Sequence, residues 1–283
     1  MTAEEVISLF HSAAHDAAID TLRNAQMLCF PGEGSLYVAG DLHNHTRNFQ
    51  RVQKAADLGN NPGRHVILQE LIHGGPLGAS GEDRSLGLLI EALQWSAAFP
   101  GRIHFLLANH DMAQVLNIAI MKDGYDLTDR FSRYINLTFG PNAPQVHEAL
   151  AAYLRALPLA AITATGIFLS HSLPAARDLA SFDRTIVRRD LTPEDWARTG
   201  SIYQMIWGRN QTQEVLDRVS KMWYADLFVC GHQQQDAGSK TLGDRMLIID
   251  SSHNHGVYLP IDLARSYTLE TLAAEVVPLA SVE

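Results

Sequence analysis

Apolar residues along this chain fall into two rhythms. Short runs bounded by Gly, Pro or polar residues, Ser35–Ala39, His65–Leu68, Ile103–Leu107, Ile167–Leu169 and Leu227–Cys230, have the length and composition of buried strands. Longer stretches place apolar residues at helical spacing. These are Ala3–Leu28, ending near Pro31-Gly32, Arg47–Leu58, stopped by Gly59-Asn60-Asn61-Pro62-Gly63, and Ser85–Phe99, stopped by Pro100-Gly101. The alternation predicts two successive β-α-β units. Residues Met112–Leu157 read as helical with a break at Gly140-Pro141, an expected insertion or lid over the sheet. Ala160–Thr165 and Ile167–Leu169 flank Gly166 as a β-hairpin. Pro174–Arg218 has no dominant period. Beyond it the pattern predicts strands at Leu227–Cys230, Arg245–Asp250, Val257–Ile261 and Tyr267–Val277. Two strand-rich halves joined by helices predict an α/β protein of two packed sheets with helices outside.

Length and composition narrow this picture. A chain of 283 residues fits one elaborated domain, here expected over residues 35–283 behind a helical extension over 1–34. Acidic residues outnumber basic ones, 31 to 22, and no Lys/Arg run occurs, so nucleic acid is not an expected partner; a local basic pocket stays compatible. Met1–Asp20 mixes Glu4, Glu5, His11, His15 and Asp16 with apolar residues, unlike a signal peptide, and no segment approaches the ~20 apolar residues of a membrane span. Cys29 and Cys230 are too few for a disulfide framework, so a reduced, cytoplasmic protein is expected. Oligomeric state has no signature in the sequence.

The chemistry lies where the short runs end. Gly40-Asp41-Leu42-His43, Asn109-His110-Asp111, Ser170-His171-Ser172 and Gly231-His232-Gln233 each follow an apolar run, the place where open α/β sheets present functional groups. Singly, each has a plainer reading. Asp-x-His at a strand end commonly caps a helix, Asn109 would be a turn residue, and His171 would be a hydrogen-bonded core histidine. Together, and with Glu70 at the end of His65–Leu68, they read as a split two-metal site. Two divalent cations ~3.5–4 Å apart can clamp a phosphoryl group and lower the pKa of a water between them. Mixed imidazole and carboxylate donors suit Mn, Fe or Zn better than Mg or Ca.

The order Asp-x-His, acidic residue, Asn-His, His, Gly-His resembles the calcineurin-like metallophosphoesterases. Gly231-His232-Gln233 followed by Ser251-Ser252-His253-Asn254-His255-Gly256 is most similar to their phosphoprotein phosphatase branch. The resemblance spans Leu36 to Tyr258 and is dense only at the motifs. It implies a four-layer α/β/β/α sandwich and a metal-dependent phosphohydrolase, in which a hydroxide bridging two metals attacks phosphorus directly. It also implies that Asp41 and His43 hold the first metal, that Glu70 bridges, that Asn109, His171 and His232 complete the second, and that His110 is the general acid. The implied substrate is a phosphate ester: a phosphoprotein, a dinucleoside polyphosphate or a small ester.

The second motif departs from the family pattern. Where the family carries Gly-Asp-x-x-Asp-Arg-Gly, this chain has Gln69-Glu70-Leu71-Ile72-His73-Gly74-Gly75. Direct alignment puts His73 and Gly74 at the places of the acid-orienting Asp and the phosphate-gripping Arg. Alternatively the dipeptide is delayed to Asp83-Arg84, past the Gly-rich Gly74–Gly81. Asp83 would then partner His110, and Arg84 would bind phosphate with Asn109. Arg209, after Trp207, is a second phosphate candidate, because the guanidinium fork binds phosphate oxygens bidentately. His45, His253 and His255 read as polar loop residues near the same strand ends. A disrupted second motif also allows a different class, a catalytically weak metal-binding protein acting as sensor or scaffold.

Overall fold

A strand buried on both faces shows no period of two in its sequence, and the computed structural model, which describes residues 1–283, shows why these runs are continuously apolar. In the five-stranded sheet the order is Val277–Pro278, Val257–Asp262, Ser35–Asp41, Arg64–Gln69, Ile103–Leu106. A seven-stranded sheet runs Arg23–Asn24, Met27–Phe30, Ala160–Thr163, Ile167–Ser170, Leu227–Cys230, Met246–Ile249, Ser239–Leu242. Alternate residues of the two sheets, Leu36, Val38, Ile67 and Leu106 with Leu169, Val229, Leu247 and Ile249, form one apolar cluster between them. The intervening residues, among them Leu68, Phe105, Phe168 and Phe228, join a second cluster with the helices. Side chains thus leave each strand both toward the other sheet and toward a helical layer. The result is the four-layer sandwich, two mixed sheets flanked by helices.

Residues 1–34 are helix and then strand. The helix, Ala3–Ile19, opens with a capping box between Thr2 and Glu5 and stacks Phe10 on Tyr153. It ends well before Leu28, because the Asp20 carboxylate accepts the Leu22 N–H and binds His104 at 2.7 Å, turning the chain. Met27–Phe30 then pairs in parallel with Ala160–Thr163 in the seven-stranded sheet. The expected helical stretch 112–157 resolves into the helices Asn109–Leu116, Leu127–Phe139 and Ala143–Ala156, interrupted by a small hairpin of Met121–Lys122 and Tyr125–Asp126 that the pattern did not announce and by the break at Gly140, whose φ is +52°. Tyr153 meets Phe105 edge-on, so Ala143–Ala156 belongs to the outer helical layer beside Ile103–Leu106. The hairpin about Gly166 forms as expected.

Two C-terminal expectations differ from the structure. Ser239–Leu242 is a strand that the pattern did not announce, since it lies at a sheet edge with its side chains largely in solvent. Tyr267–Val277 is mostly the short helix Leu269–Ala273, started by a Thr268–Thr271 capping box, and only Val277–Pro278 is strand. No helix is long and apolar enough to cross a membrane.

The irregular stretch 174–200 is fixed by charge. Arg189 donates to both Asp183 and Asp195 at 2.7 Å, and Asp195 also accepts the Thr192 N–H. The Arg189 hydrogen bonds outweigh burial and, with Thr192, lower the Asp195 carboxyl from 3.8 to about 2. A lowered pKa contributes stability that is complete above the unfolded value and is lost as pH falls through about 2. Asp195→Asn is therefore expected to cost about 1–2 kcal/mol at neutral pH, discounting for partial solvent screening. Urea unfolding should show that difference shrinking toward pH 2; a constant difference would contradict the assignment.

Candidate metal centre

Ser35–Asp41, Arg64–Gln69 and Ile103–Leu106 run parallel, so their C-terminal ends deliver Asp41, Glu70 and Asn109 to one edge. In the other sheet Ile167–Ser170 and Leu227–Cys230, also parallel, deliver His171 and His232. A bridge between Asp41 and Asp250 joins the two sheets at this edge. His43, Asn44, Glu70, His73 and His232 all have positive φ, between +41° and +64°. Such non-glycine conformations cost of order 1–3 kcal/mol each and persist where the surroundings over-determine them.

Hydrogen bonds fix which ring nitrogens carry protons. The amide nitrogen of Gln69 donates to the Ala39 carbonyl, so its Oε1 accepts from His171 Nδ1 at 3.0 Å. His171 Nε2 is then a lone pair directed into the site. It meets two acceptors there, Asn109 Oδ1 at 2.7 Å and Glu70 Oε1 at 3.5 Å, with His232 Nδ1 3.2 Å away. His43 Nδ1 donates to the Ile72 carbonyl, so its Nε2 faces Glu70 Oε2 at 3.2 Å and donates to it while the imidazole is protonated. Asp41 Oδ2 accepts the His232 N–H at 2.8 Å, while its buried Oδ1 has no hydrogen-bond partner. Lone pairs this close repel unless positive charge lies among them, so the donor set fits divalent cations.

Ligand atoms of His43, Glu70 and His110 lie within 4.8 Å of one another, as do those of Asp41, Glu70 and His171. Glu70 is common to both groups. The charges respond accordingly. Burial and then the Glu70 charge push the Asp41 carboxyl well up, whereas His171, His110 and His43 outweigh burial and hold Glu70 well below the usual range. Burial disfavours the His43 cation, but Glu70 overrides it and lifts the imidazole to about 9. His171 is lowered to about 4, chiefly by burial.

Residues 34–247 match the profile of the calcineurin-like phosphoesterases. The chain belongs to that family. Membership makes it a metallophosphoesterase, a phosphoric ester hydrolase. None of the curated proteins compared with it matches its sequence. Among solved structures it is similar to a protein serine/threonine phosphatase of Saccharomyces cerevisiae, at 12% identity and a TM-score of 0.70, covering 99% of this chain and 94% of that one. It is also similar to a cold-active protein-tyrosine phosphatase of a psychrophilic Shewanella species, at 15% identity and a TM-score of 0.58, covering 89% and 82%. At these identities the likeness is one of fold.

Within this phosphoesterase the second motif is resolved by position. His73, not Asp83, meets the histidine after Asn109: the two Nδ1 atoms of His73 and His110 are 3.1 Å apart. Asp83 is buried at the start of helix Leu86–Ala98, where its Oδ1 accepts the Ser85 N–H at 2.7 Å and braces the helix start. Arg84 turns its fork onto Glu82, at 2.9 and 3.1 Å. Arg209 is exposed and makes no ion pair. Its charge helps depress His171, after burial and His43, and His232, after burial and His171. With Arg177, Trp207 and Asn210 it lines an open cavity of about 400 Å³. His45 caps helix Thr46–Ala56, His253 Nε2 donates to the Gln235 carbonyl, and His255 is exposed, as their loop readings expected. The sequence reading missed Gln69 and Gln114. A glutamine closing an otherwise apolar buried strand, as Gln69 does, demands a partner and was the available signal.

Proposed function

We propose that the chain is a two-metal phosphohydrolase acting on phosphate esters. Asp41, His43 and Glu70 would hold one cation, and Glu70, Asn109, His171 and His232 the other. The observation that carries this reading is Glu70, shared between two groups of converging donors. Divalent cations bound there would supply charge stabilisation for the phosphoryl group and an activated water. Gln69 keeps the His171 lone pair inward through its bond to Nδ1. Arg209 supplies a charged fork for non-bridging phosphate oxygens, and His110 donates the proton that the departing oxygen requires.

Metal analysis and turnover on one sample test this. Protein loaded separately with Mn, Fe and Zn is expected to bind two cations per chain and to hydrolyse 4-nitrophenyl phosphate. Two bound cations with no turnover of monoesters, diesters or dinucleoside polyphosphates would instead favour the sensor or scaffold. Arg209→Ala is expected to raise both KM and the inhibition constant for inorganic phosphate roughly 10- to 100-fold, the worth of a charge-assisted bidentate pair. Arg84→Ala, which removes an exposed guanidinium paired with Glu82, should change them by less than about threefold.

A further inference from the structure

Carboxylates usually orient a general-acid histidine, and here the neighbour of His110 is another histidine. We propose that Ser132, Gln114 and His73 form an uncharged relay that fixes the His110 tautomer, making His73 a positioning residue. The kinetic part of this proposal rests on the phosphohydrolase reading.

Proton positions follow from one end of the chain of contacts. With the Gln114 amide turned so that Nε2 donates to Ser132 Oγ at 3.0 Å, its Oε1 faces His73 as an acceptor. His73 Nε2 lies 3.0 Å from that oxygen and must donate to it. The remaining question is the 3.1 Å contact between the two Nδ1 atoms, which can hold only one proton. His73 is 3% exposed, packs edge-on against Phe131 and has no carboxylate hydrogen-bonded to it. A second proton there would make an uncompensated buried cation. His73 is therefore neutral, its Nδ1 accepts, and His110 Nδ1–H donates. His110 Nε2 is left as the nitrogen that meets the substrate, and it serves as the acid when His110 carries a second proton there, the imidazolium giving Nδ1–H to His73 and Nε2–H to the departing oxygen.

The Gly-rich insertion has a function in this arrangement. Ser85 Oγ accepts the His73 backbone N–H at 3.0 Å, and the Ser85 N–H donates to Asp83 Oδ1 at 2.7 Å. The His73 backbone, at φ +63°, is thus braced by the residues that follow the insertion. Asp83 acts on His110 through Ser85 and His73. An imidazole in place of a carboxylate supplies direction without negative charge. It follows that the site favours esters whose leaving group needs little protonation, aryl esters and anhydrides, over alkyl phosphates.

Two measurements test the relay. In zinc-loaded protein labelled with ¹⁵N at histidine, long-range ¹H–¹⁵N correlation should show neutral His110 protonated at Nδ1 and neutral His73 at Nε2. Gln114→Leu should shift His73 toward a mixture. Neutral His110 protonated at Nε2 would overturn the relay, whatever the activity. In kinetics, His73→Leu should lower kcat on phenyl phosphate about 100-fold but on 4-nitrophenyl phosphate less than about threefold, since only the poorer leaving group depends on the acid. His73→Asn, which keeps an acceptor near Nδ1, should restore phenyl phosphate turnover. Equal losses on both esters, or no rescue by Asn in a folded variant, would overturn the proposal. Absent turnover of either ester by the wild type, with the tautomers as assigned, would instead overturn the phosphohydrolase reading and leave the relay standing.

Discussion

Asp41→Asn is expected to abolish stoichiometric metal binding and to lower phosphate-ester turnover by ~10³-fold, the loss typical when a group stabilising transition-state charge is removed. The same substitution is expected to stabilise the metal-free protein. Asp41, Glu70 and Asp250 are all buried, and burial together with the Glu70 charge pushes the Asp41 carboxyl well up. Asparagine, which is neutral without taking up a proton, removes the cost of either charging or protonating a carboxyl in this group. The asparagine oxygen can still accept the His232 N–H that Asp41 Oδ2 accepts at 2.8 Å. A gain near 1 kcal/mol would raise the melting midpoint by about 2–4 °C. Metal analysis, kinetics and calorimetry of the metal-free variant check the three outcomes. Unchanged metal content would remove Asp41 from the ligand set.

Gly231→Ala is the second large effect. A Cβ at Gly231 would lie 2.2 Å from Asp41 Oδ1 and 3.2 Å from Gln69 Nε2. Neither neighbour is free to give way. Asp41 is held by the His232 N–H, and Gln69 is held between the Ala39 carbonyl and His171. The glycine before His232 is thus required by the close approach of the Asp41 carboxylate. The substitution should cost roughly 100-fold in turnover, through displaced Asp41, and about 1–3 kcal/mol in stability from overpacking. Gly59→Ala is the matched control: with nothing within 4 Å of its Cβ position, it should leave kinetics unchanged and stability within about 0.5 kcal/mol. If both variants keep wild-type kinetics, the packing of Asp41 on Gly231 has no part in activity.

Much of this was legible before any coordinates. The apolar runs ending in Asp41, Glu70, Asn109, His171 and His232 gave the strands, and the strands gave a common edge, because parallel strands point their ends the same way. What escaped was of two kinds. Met27–Phe30 and Ser239–Leu242 are strands whose local patterns compete with other readings: the first continues a helical stretch, and the second is solvated. Leu269–Ala273 reversed the expected strand through a cap two threonines make. The partner of His110 escaped for a different reason. Asp83 has the charge that family resemblance asks for, yet the chain between Gly74 and Gly81 returns it to a helix start, and His73, nearer in sequence to Glu70, takes the place. Chemistry at a strand end is local; the pairing of side chains across several loops is not.

The bridge between Asp41 and Asp250 marks a seam, and the donors straddle it, Asp41, Glu70 and Asn109 on one side and His171 and His232 on the other. Their separations, 2.7 to 3.5 Å, are comparable to the ~3.3 Å advance of one strand residue. The grip on a cation is therefore an alignment between layers, set by the interdigitated side chains of Val38, Ile67, Leu169 and Val229. Residues that touch neither cation nor substrate determine the gauge of the site, and a methylene added or lost in that seam is transmitted to the chemistry as a misfit between its two halves.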